Sequence, residues 1–194
     1  MYSKRPYFIF GFHGCEKSVR DKIVSNQERM KRSENSYDWL GSGFYFWEND
    51  HDRALQFAKE KGFNDPAVLG ACIDLGNCLD LLEFHQRQRL KDAYNQLKTS
   101  CEIGGITLPE NSTDLMRRKL DCAVVKTHVE NQTAPKVDSV RGVFWEGEIL
   151  YPGAGLKEKN HIQICVRNPD CIKAFFIPRT QEKAKFQTDD LTDK

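Results

Sequence analysis

The sequence lacks an excess of charge of either sign. Its 194 residues hold 29 lysines and arginines against 28 aspartates and glutamates, which gives a formal net charge of +1. A protein that attracts nucleic acid through its overall field carries a clear basic excess, and this chain does not. The balance argues against that class and leaves only local clusters, such as residues 31–32 and 117–119, to contact a phosphate backbone.

Long apolar runs are absent too. A membrane-spanning helix needs about 20 apolar residues, and near the N-terminus the apolar stretch is interrupted at Gly11 and His13. We therefore expect a soluble, cytoplasmic protein with no membrane partner. At roughly 100–200 residues per domain, the length predicts one domain over residues 1–179. Residues 180–194 are polar and charged, and they predict a flexible tail.

The cysteines form no metal-binding or disulfide pattern. There are seven, an odd number, and none belongs to a C-x-x-C pair. Several lie in or beside apolar runs. This favours reduced, mostly buried thiols over a disulfide framework or a zinc site, so no metal is expected.

Common enzyme motifs are missing as well. The first apolar segment is not followed by G-x-G-x-x-G, and the chain contains no phosphate-binding loop, G-x-S-x-G, H-E-x-x-H or EF-hand loop. These absences exclude the common dinucleotide-binding, hydrolase and zinc-protease signatures.

Hydrophobic patterning predicts short strands separated by a few helices. The predicted strands are 7–12, 43–47, 67–75, 120–125, 162–166 and 171–178, with 140–145 as a further strand or an ordered loop entry. The predicted helices are 16–27, 50–61, 84–99 and a short one over 112–119. The last two strands are expected to form a hairpin or meander. Without regular β-α-β alternation, this order predicts an α+β fold with a mixed or antiparallel core.

Polar or aromatic side chains accompany several of these short strands. They are His13 with Gly14, Tyr45 and Gln163. Taken singly, each is more often an ordinary structural residue than a functional one. Their order along the chain makes them candidates for one shared site.

The segments around these residues resemble a known family. FGFHG at 10–14, LGSGFYFWENDHDRALQFA at 40–58 and HIQICVRNPDCI at 161–172 are similar to the motifs of ADP-ribosyltransferases of the diphtheria-toxin and poly(ADP-ribose) polymerase type, the H-Y-E class. The resemblance implies a split β-sheet core with short helices. It also implies that NAD is a substrate.

The resemblance assigns roles to individual residues. His13 would bind ribose hydroxyls of NAD, and Gly14 would offer its backbone N–H and C=O to the carboxamide. Tyr45 and, from the next helix, Phe57 would enclose the nicotinamide ring. Two aromatic faces suit a flat cation because ring quadrupoles attract positive charge.

The chain departs from the family pattern at Gln163, which stands where the family has a glutamate. An amide can hold the 2′-hydroxyl of the ribose but supplies neither charge nor a base. A carboxylate could instead come from Glu146 or Glu148 in the preceding loop, with Glu146 the first choice. The alternative is that both are solvated loop charges.

The expected function is that of a mono-ADP-ribosyltransferase, which breaks the bond between nicotinamide and ribose and transfers ADP-ribose to a macromolecule. A protein acceptor is expected rather than a nucleic acid. The alternatives are an NAD glycohydrolase and a non-catalytic module that binds NAD or ADP-ribose. A toxin, a defence factor and a housekeeping modifier fit equally well.

Other residues are weaker candidates. His161 lies on the same strand face as Gln163 and could contact the acceptor. Arg141 and Arg167 could meet the pyrophosphate, although surface salt bridges are the more usual role of such residues. Trp47 is expected at the pocket rim, and a turn at Tyr151 shapes the loop.

Overall fold

The structure is a computed structural model that describes residues 8–113, 117–132 and 135–179. Its elements, in chain order, are β1 Ile9–Glu16, α1 Lys17–Val24, β2 Phe44–Glu48, α2 His51–Glu60, β3 Pro66–Ile73, β4 Cys78–Asp80, α3 Phe84–Gly104, α4 Lys119–Glu130, β5 Ser139–Phe144, β6 His161–Val166 and β7 Ile172–Phe176. A 3₁₀ turn over Pro169–Cys171 precedes β7. None of the helices in these described ranges is long and apolar enough to cross a bilayer.

The strands form one mixed sheet in the order β4-β5-β6-β2-β1-β3-β7. The pair β4 and β5 is parallel, and the other neighbours are antiparallel. The predicted α+β class with a mixed core is therefore confirmed.

The ladder between β1 and β2 is short. It contains the pairs Gly11↔Glu48 and Phe12↔Trp47. On its other side, β1 pairs with β3 along its whole length, from Ile9 to Glu16. The sheet thus consists of two halves, β4-β5-β6-β2 and β1-β3-β7, joined at a narrow seam.

Apolar side chains fill both faces of the sheet. Helices α3 and α4 cover the β4-β5-β6 half through a buried cluster that includes Leu79, Val125, Val129, Val140 and Cys165. A second cluster on other strand positions includes Phe46, Ala71, Ile73, Ile164 and Val166. Helix α1 contributes Ile23 to a third cluster, and α2 contributes Ala54 to a fourth.

Helix α2 follows its sequence signals closely. The carboxylate of Asp50 accepts a hydrogen bond from the backbone N–H of Arg53 at 2.9 Å and caps the N-terminus. Ala54 and Ala58 are buried on the inner face. Gly62 follows the helix with a φ of 73°, a left-handed conformation that glycine adopts without strain.

The prediction of a strand over 120–125 is wrong, because these residues lie in α4. Buried Cys122, Val125 and Val129 recur at helical spacing and pack on one side. A short apolar run alone does not distinguish a buried strand from a buried helix. The short helix predicted over 112–119 is also wrong in its described part, since Asn111 and Arg118 form an isolated β-bridge. Residues 114–116 lie outside the described residues.

The predicted hairpin of the last two strands is wrong too. β6 lies between β5 and β2, whereas β7 pairs with β3 at the far edge of the sheet. The first strand starts at Ile9 and continues to Glu16, so His13 and Gly14 lie inside it rather than at its end. Residue 7 and the predicted tail over 180–194 lie outside the described residues.

Candidate functional site

A cavity of about 300 Å³ lies beside the seam between the two halves of the sheet. Among the residues that line it are His13 of β1, Tyr45 of β2, Phe57 of α2, Gln163 of β6 and Glu146 of the loop after β5. The fold therefore brings together side chains that lie up to 150 positions apart. The volume of the cavity is at the lower end of the range for small-molecule sites.

His13 follows Phe12, the last residue of β1 that pairs with β2, and its imidazole reaches from β1 to the backbone of β2. Its Nδ1 lies 2.9 Å from the backbone carbonyl oxygen of Tyr45. A carbonyl oxygen can only accept, so Nδ1 carries the proton and Nε2 keeps its lone pair. Burial lowers the pKa of His13 below 6.5, and the hydrogen bond to Tyr45 only partly opposes this. The neutral ring thus offers an acceptor nitrogen that suits a hydroxyl.

The side chain of Tyr45 is fixed by the loop before β2. Its hydroxyl donates to the carbonyl oxygen of Gly41 at 2.6 Å and accepts from the N–H of Leu40 at 3.1 Å. Burial raises the pKa of this phenol far above its ordinary value. The hydroxyl therefore stays protonated and anchors the ring, whose role at the cavity is that of an aromatic surface.

Six of the residues that line the cavity are tryptophan, tyrosine or phenylalanine. Trp47 and Phe57 contact each other with ring centroids 4.9 Å apart, and Trp39 stacks on Phe144 at 4.1 Å. Trp47 is only 5% exposed, so it forms the wall rather than the expected rim. Its indole N–H is buried without a hydrogen-bond partner in the described part of the chain. A ligand with an acceptor oxygen could satisfy that donor.

Gln163 is held by His161 two residues earlier on β6. The amide Nε2 lies 3.0 Å from Nε2 of His161, and Nδ1 of His161 lies 2.6 Å from the carbonyl oxygen of Lys159. His161 is only 6% exposed, and Gln163 rather than His161 contributes to the cavity lining. The expectation that His161 contacts the acceptor is therefore not supported by its position behind Gln163.

Glu146 is the loop carboxylate that reaches the cavity. Its Oε2 lies 3.3 Å from a guanidinium nitrogen of Arg53, and its side chain is 15% exposed. The same guanidinium lies over the ring of Trp47, 5.6 Å from the centroid. Glu148 is exposed and contributes its backbone carbonyl to the loop, which accepts from the N–H of Glu158 at 3.0 Å.

Gly14 lies against helix α2. A Cβ added there would lie 2.1 Å from the carbonyl oxygen of Ala54 in α2. The glycine therefore permits a close approach of helix to strand. The backbone of Gly14 is in register with Val68 of β3, and its expected contact to a carboxamide stays a prediction.

Arg141 is not available for a pyrophosphate. It is 4% exposed, and its guanidinium donates to both carboxylate oxygens of Glu48, one of them at 2.8 Å. A further nitrogen lies 3.2 Å from Asp80. Arg167 directs a guanidinium nitrogen to the carbonyl oxygen of Ser42 at 3.5 Å. Tyr151 is 57% exposed, in the loop that the sequence predicted.

Sequence reasoning missed the wall between this cavity and a larger one. Trp39 and Phe144 line both, and the second cavity, of about 690 Å³, lies among α3, α4 and β5. The guanidinium carbon of Arg118 lies 3.3 Å from the centroid of the Trp39 ring. The sequence offered one signal for this wall. Trp39 lies two residues before Gly41, and Phe144 lies two residues before Glu146.

The described residues contain no group of three or more His, Cys, Asp or Glu side chains that could hold a metal ion. All seven cysteines carry free thiols, and Cys72 and Cys78 are the partly exposed ones. Comparison of the chain with protein-family models, with curated proteins and with solved structures gives no match. Fold and site together define an α+β protein with a mixed sheet and an aromatic-walled cavity at its seam.

Proposed function

We propose that this protein is an NAD-dependent mono-ADP-ribosyltransferase whose acceptor is a macromolecule, a protein rather than a nucleic acid. The observation that carries the proposal is the cavity itself. His13, Tyr45 and Gln163 occupy the positions that correspond to the histidine, tyrosine and glutamate of the H-Y-E class. They come from three separate strands and line the same cavity. Phe57 and Glu146 line the same space.

The chemistry of the lining suits the nicotinamide end of NAD. Tyr45, Phe57 and Trp47 offer aromatic surface to a flat pyridinium ring, since ring quadrupoles attract a cation. Nε2 of His13 is left as an acceptor for a ribose hydroxyl. Glu146 adds a negative charge at the cavity, where positive charge develops on the ribose as the bond breaks.

The proposed reaction needs few proton transfers. The bond between C1′ of the ribose and the nicotinamide nitrogen breaks, and its electron pair leaves with neutral nicotinamide. A nucleophilic oxygen, nitrogen or sulfur of the acceptor then bonds to C1′ and releases its proton to solvent. The task of the protein is to orient the dinucleotide and stabilise the oxocarbenium-like ribose.

The direct test is release of nicotinamide from NAD by the purified protein, alone and with a cell lysate that contains NAD labelled on its ADP-ribose part. Release together with label on protein supports the transferase. Label on nucleic acid would correct the acceptor class. Release without labelled macromolecule would instead identify a glycohydrolase, and binding of NAD in calorimetry without release would leave a binding module.

Two variants connect the result to the cavity. His13→Ala removes the ring that crosses the seam and should abolish NAD binding. His85→Ala removes a histidine of α3 that does not line the cavity, and it should bind NAD as the unmodified protein does. Equal loss in both variants would contradict the proposed location of the site.

A further inference from the structure

A chain of hydrogen bonds fixes which way the amide of Gln163 points. It begins at the backbone carbonyl oxygen of Lys159, 2.6 Å from Nδ1 of His161. Because that oxygen can only accept, Nδ1 must carry a proton. In the neutral ring Nε2 is then a pure acceptor.

The nitrogen of the Gln163 amide follows from this. It lies 3.0 Å from Nε2 of His161, and only an N–H can bond to an acceptor nitrogen. An amide turned by 180° would set Oε1 against the lone pair of Nε2, where two acceptors repel. The orientation of the amide is therefore dictated by hydrogen-bond chemistry.

Packing prevents the imidazole from turning to avoid this constraint. The ring of His161 stacks on Phe144, with centroids 5.3 Å apart and an interplanar angle of 3°. Trp47 approaches it at 6.1 Å. His161 and Phe144 are also directly opposite each other in the ladder of β5 and β6. Stacked and buried, the ring keeps both nitrogens aimed at their partners.

We propose that His161 is a positioning residue that turns Gln163 so that Oε1, and not the amide nitrogen, is left to accept a hydrogen bond from a ligand hydroxyl in the cavity. The identification of that hydroxyl with a ribose of NAD rests on the proposed function. The amide oxygen then serves as the acceptor that the family glutamate would otherwise provide. This explains how a glutamine works at this position.

Protonation of His161 would reverse the arrangement. The imidazolium donates from both nitrogens, so Gln163 would have to offer Oε1 to Nε2 and turn its NH₂ toward the cavity. The charged groups near the ring are Glu146, Asp50 and Arg53. Burial lowers the pKa of His161 most strongly. The Lys159 carbonyl and the two carboxylates oppose this shift, while Arg53 adds to it. At neutral pH the ring is therefore uncharged and the oxygen faces the cavity.

The first experiment measures the tautomer directly and needs no substrate. In the full-length protein labelled with ¹⁵N, long-range correlations to the ring protons of His161 should show Nδ1 protonated and Nε2 unprotonated at pH 7.5. A proton on Nε2 at that pH, in either the neutral or the charged ring, would overturn the proposal.

The second experiment compares two substitutions of the ring. His161→Phe keeps a ring against Phe144 but removes the acceptor, and we expect kcat for NAD to fall about fivefold, since one hydrogen bond of roughly 1 kcal/mol no longer orients the amide. His161→Gln restores an acceptor oxygen near the position of Nε2 and should recover most of that loss. In the unmodified protein, activity should decline on acidification as His161 takes up a proton. The His161→Gln variant should not show this decline, because it has no titrating ring at this position.

The chain contains a matched control for these substitutions. In α4, Nε2 of His128 lies 2.9 Å from the amide nitrogen of Gln132, and neither residue lines the cavity. His128→Phe removes an equivalent histidine–glutamine bond and should leave kcat unchanged. The positioning role would be contradicted if His161→Phe kept full activity, or if His128→Phe lost as much.

A failure of the proposed function would look different. The tautomer of His161 and the shift of the Gln163 side-chain amide resonances in His161→Phe are observed without NAD. If both are as expected and NAD is neither bound nor cleaved, the enzyme assignment fails while the orientation of Gln163 stands.

Discussion

Gln163 lacks the negative charge that a carboxylate would place in the cavity. Its amide oxygen can accept a hydrogen bond, but it cannot balance positive charge on a ribose as a carboxylate does. The carboxylate of Glu146 lines the same cavity, yet it is 3.3 Å from the guanidinium of Arg53. Part of its charge is therefore already neutralised.

Substitution of Gln163 by glutamate tests whether the missing negative charge limits the rate of the reaction. We expect Gln163→Glu to raise the rate of nicotinamide release several-fold, because a carboxylate stabilises an oxocarbenium-like ribose better than an amide does. The new carboxylate would also face Nε2 of His161 and raise the pKa of that ring. Release kinetics and a ¹⁵N titration of His161 measure the two effects.

The matched control for this substitution is Gln132→Glu, which puts a carboxylate beside His128 and outside the cavity. It should raise the pKa of His128 and leave nicotinamide release unchanged. Intact NAD binding by Gln163→Glu without any release would argue for a binding module in place of a transferase.

Sequence reasoning located a cavity-lining side chain where that residue is marked by its own neighbours. Tyr45 follows Gly41 and Gly43, and a Cβ on Gly43 would lie 2.4 Å from Sγ of Cys165, so the motif records a real steric requirement. Arg141 gave no such signal. Its partners Glu48 and Asp80 lie 93 and 61 positions away, and no local pattern reveals them.

At the scale of elements, one ion network connects three strands of the sheet. Arg141 of β5 pairs with Glu48 at the end of β2 and with Asp80 of β4. Hydrogen bonds to Glu48 are the largest of the influences that raise the pKa of Arg141. Both partners are carboxylates, so removal of the guanidinium would leave them without their shared cation.

We expect Arg141→Met to lower the free energy of unfolding by about 3–5 kcal/mol, because it removes the cation that two largely buried carboxylates share. Urea unfolding followed by circular dichroism measures this change. The control is Lys17→Met, which breaks an ion pair with Asp65 whose side chains are 51% and 61% exposed, and it should change stability by no more than about 1 kcal/mol. Equal effects of the two substitutions would contradict the assignment of a structural role to Arg141.

The elements themselves show where local patterns are insufficient. The helix after Asp50 was predicted to within a residue or two because its cap, its alanine face and Gly62 all agree. Residues 120–125 offered only a short apolar run, and burial against α3 and the sheet decides its conformation. Likewise, the turn residues 168–170 between the last two strands suggested that these strands form a hairpin. β6 instead pairs with β2 and β5, which are distant in the sequence.

At the scale of the whole molecule, the buried thiols link stability to pH. Burial raises the thiol pKa from 9.0 to about 12 for Cys165 and to about 11 for Cys15 and Cys171. In the unfolded chain these thiols recover an ordinary pKa and lose their protons first as pH rises. Their contribution to stability is therefore complete below about pH 9 and is lost progressively above it.

We expect the midpoint of urea unfolding to fall steadily between pH 9 and pH 11. Brief alkylation of the folded protein should modify partly exposed Cys72 and Cys78 before the five buried cysteines. Mass spectrometry of the labelled peptides gives that order. Rapid labelling of Cys165 in the folded state would contradict the burial from which the pH dependence follows.

The class of the fold could be predicted from sequence, but its strand order could not. Short apolar segments between helices suffice for α+β. The seam depends on how far β1 and β2 remain paired. Where that pairing ends, α2 packs against Gly14 and the imidazole of His13 contacts β2. These contacts involve surfaces that form only when the whole sheet is assembled.

Because β6 follows both of its sheet neighbours in the sequence, the order of synthesis has a consequence for the sheet. β6 lies between β5 and β2, yet its first residue is His161. A nascent chain that has not reached this residue has two unpaired strand edges on either side of a gap, a form that invites chaperone binding or association with other chains. Gln163 belongs to the same strand, so the lining of the cavity is incomplete until β6 has been synthesised.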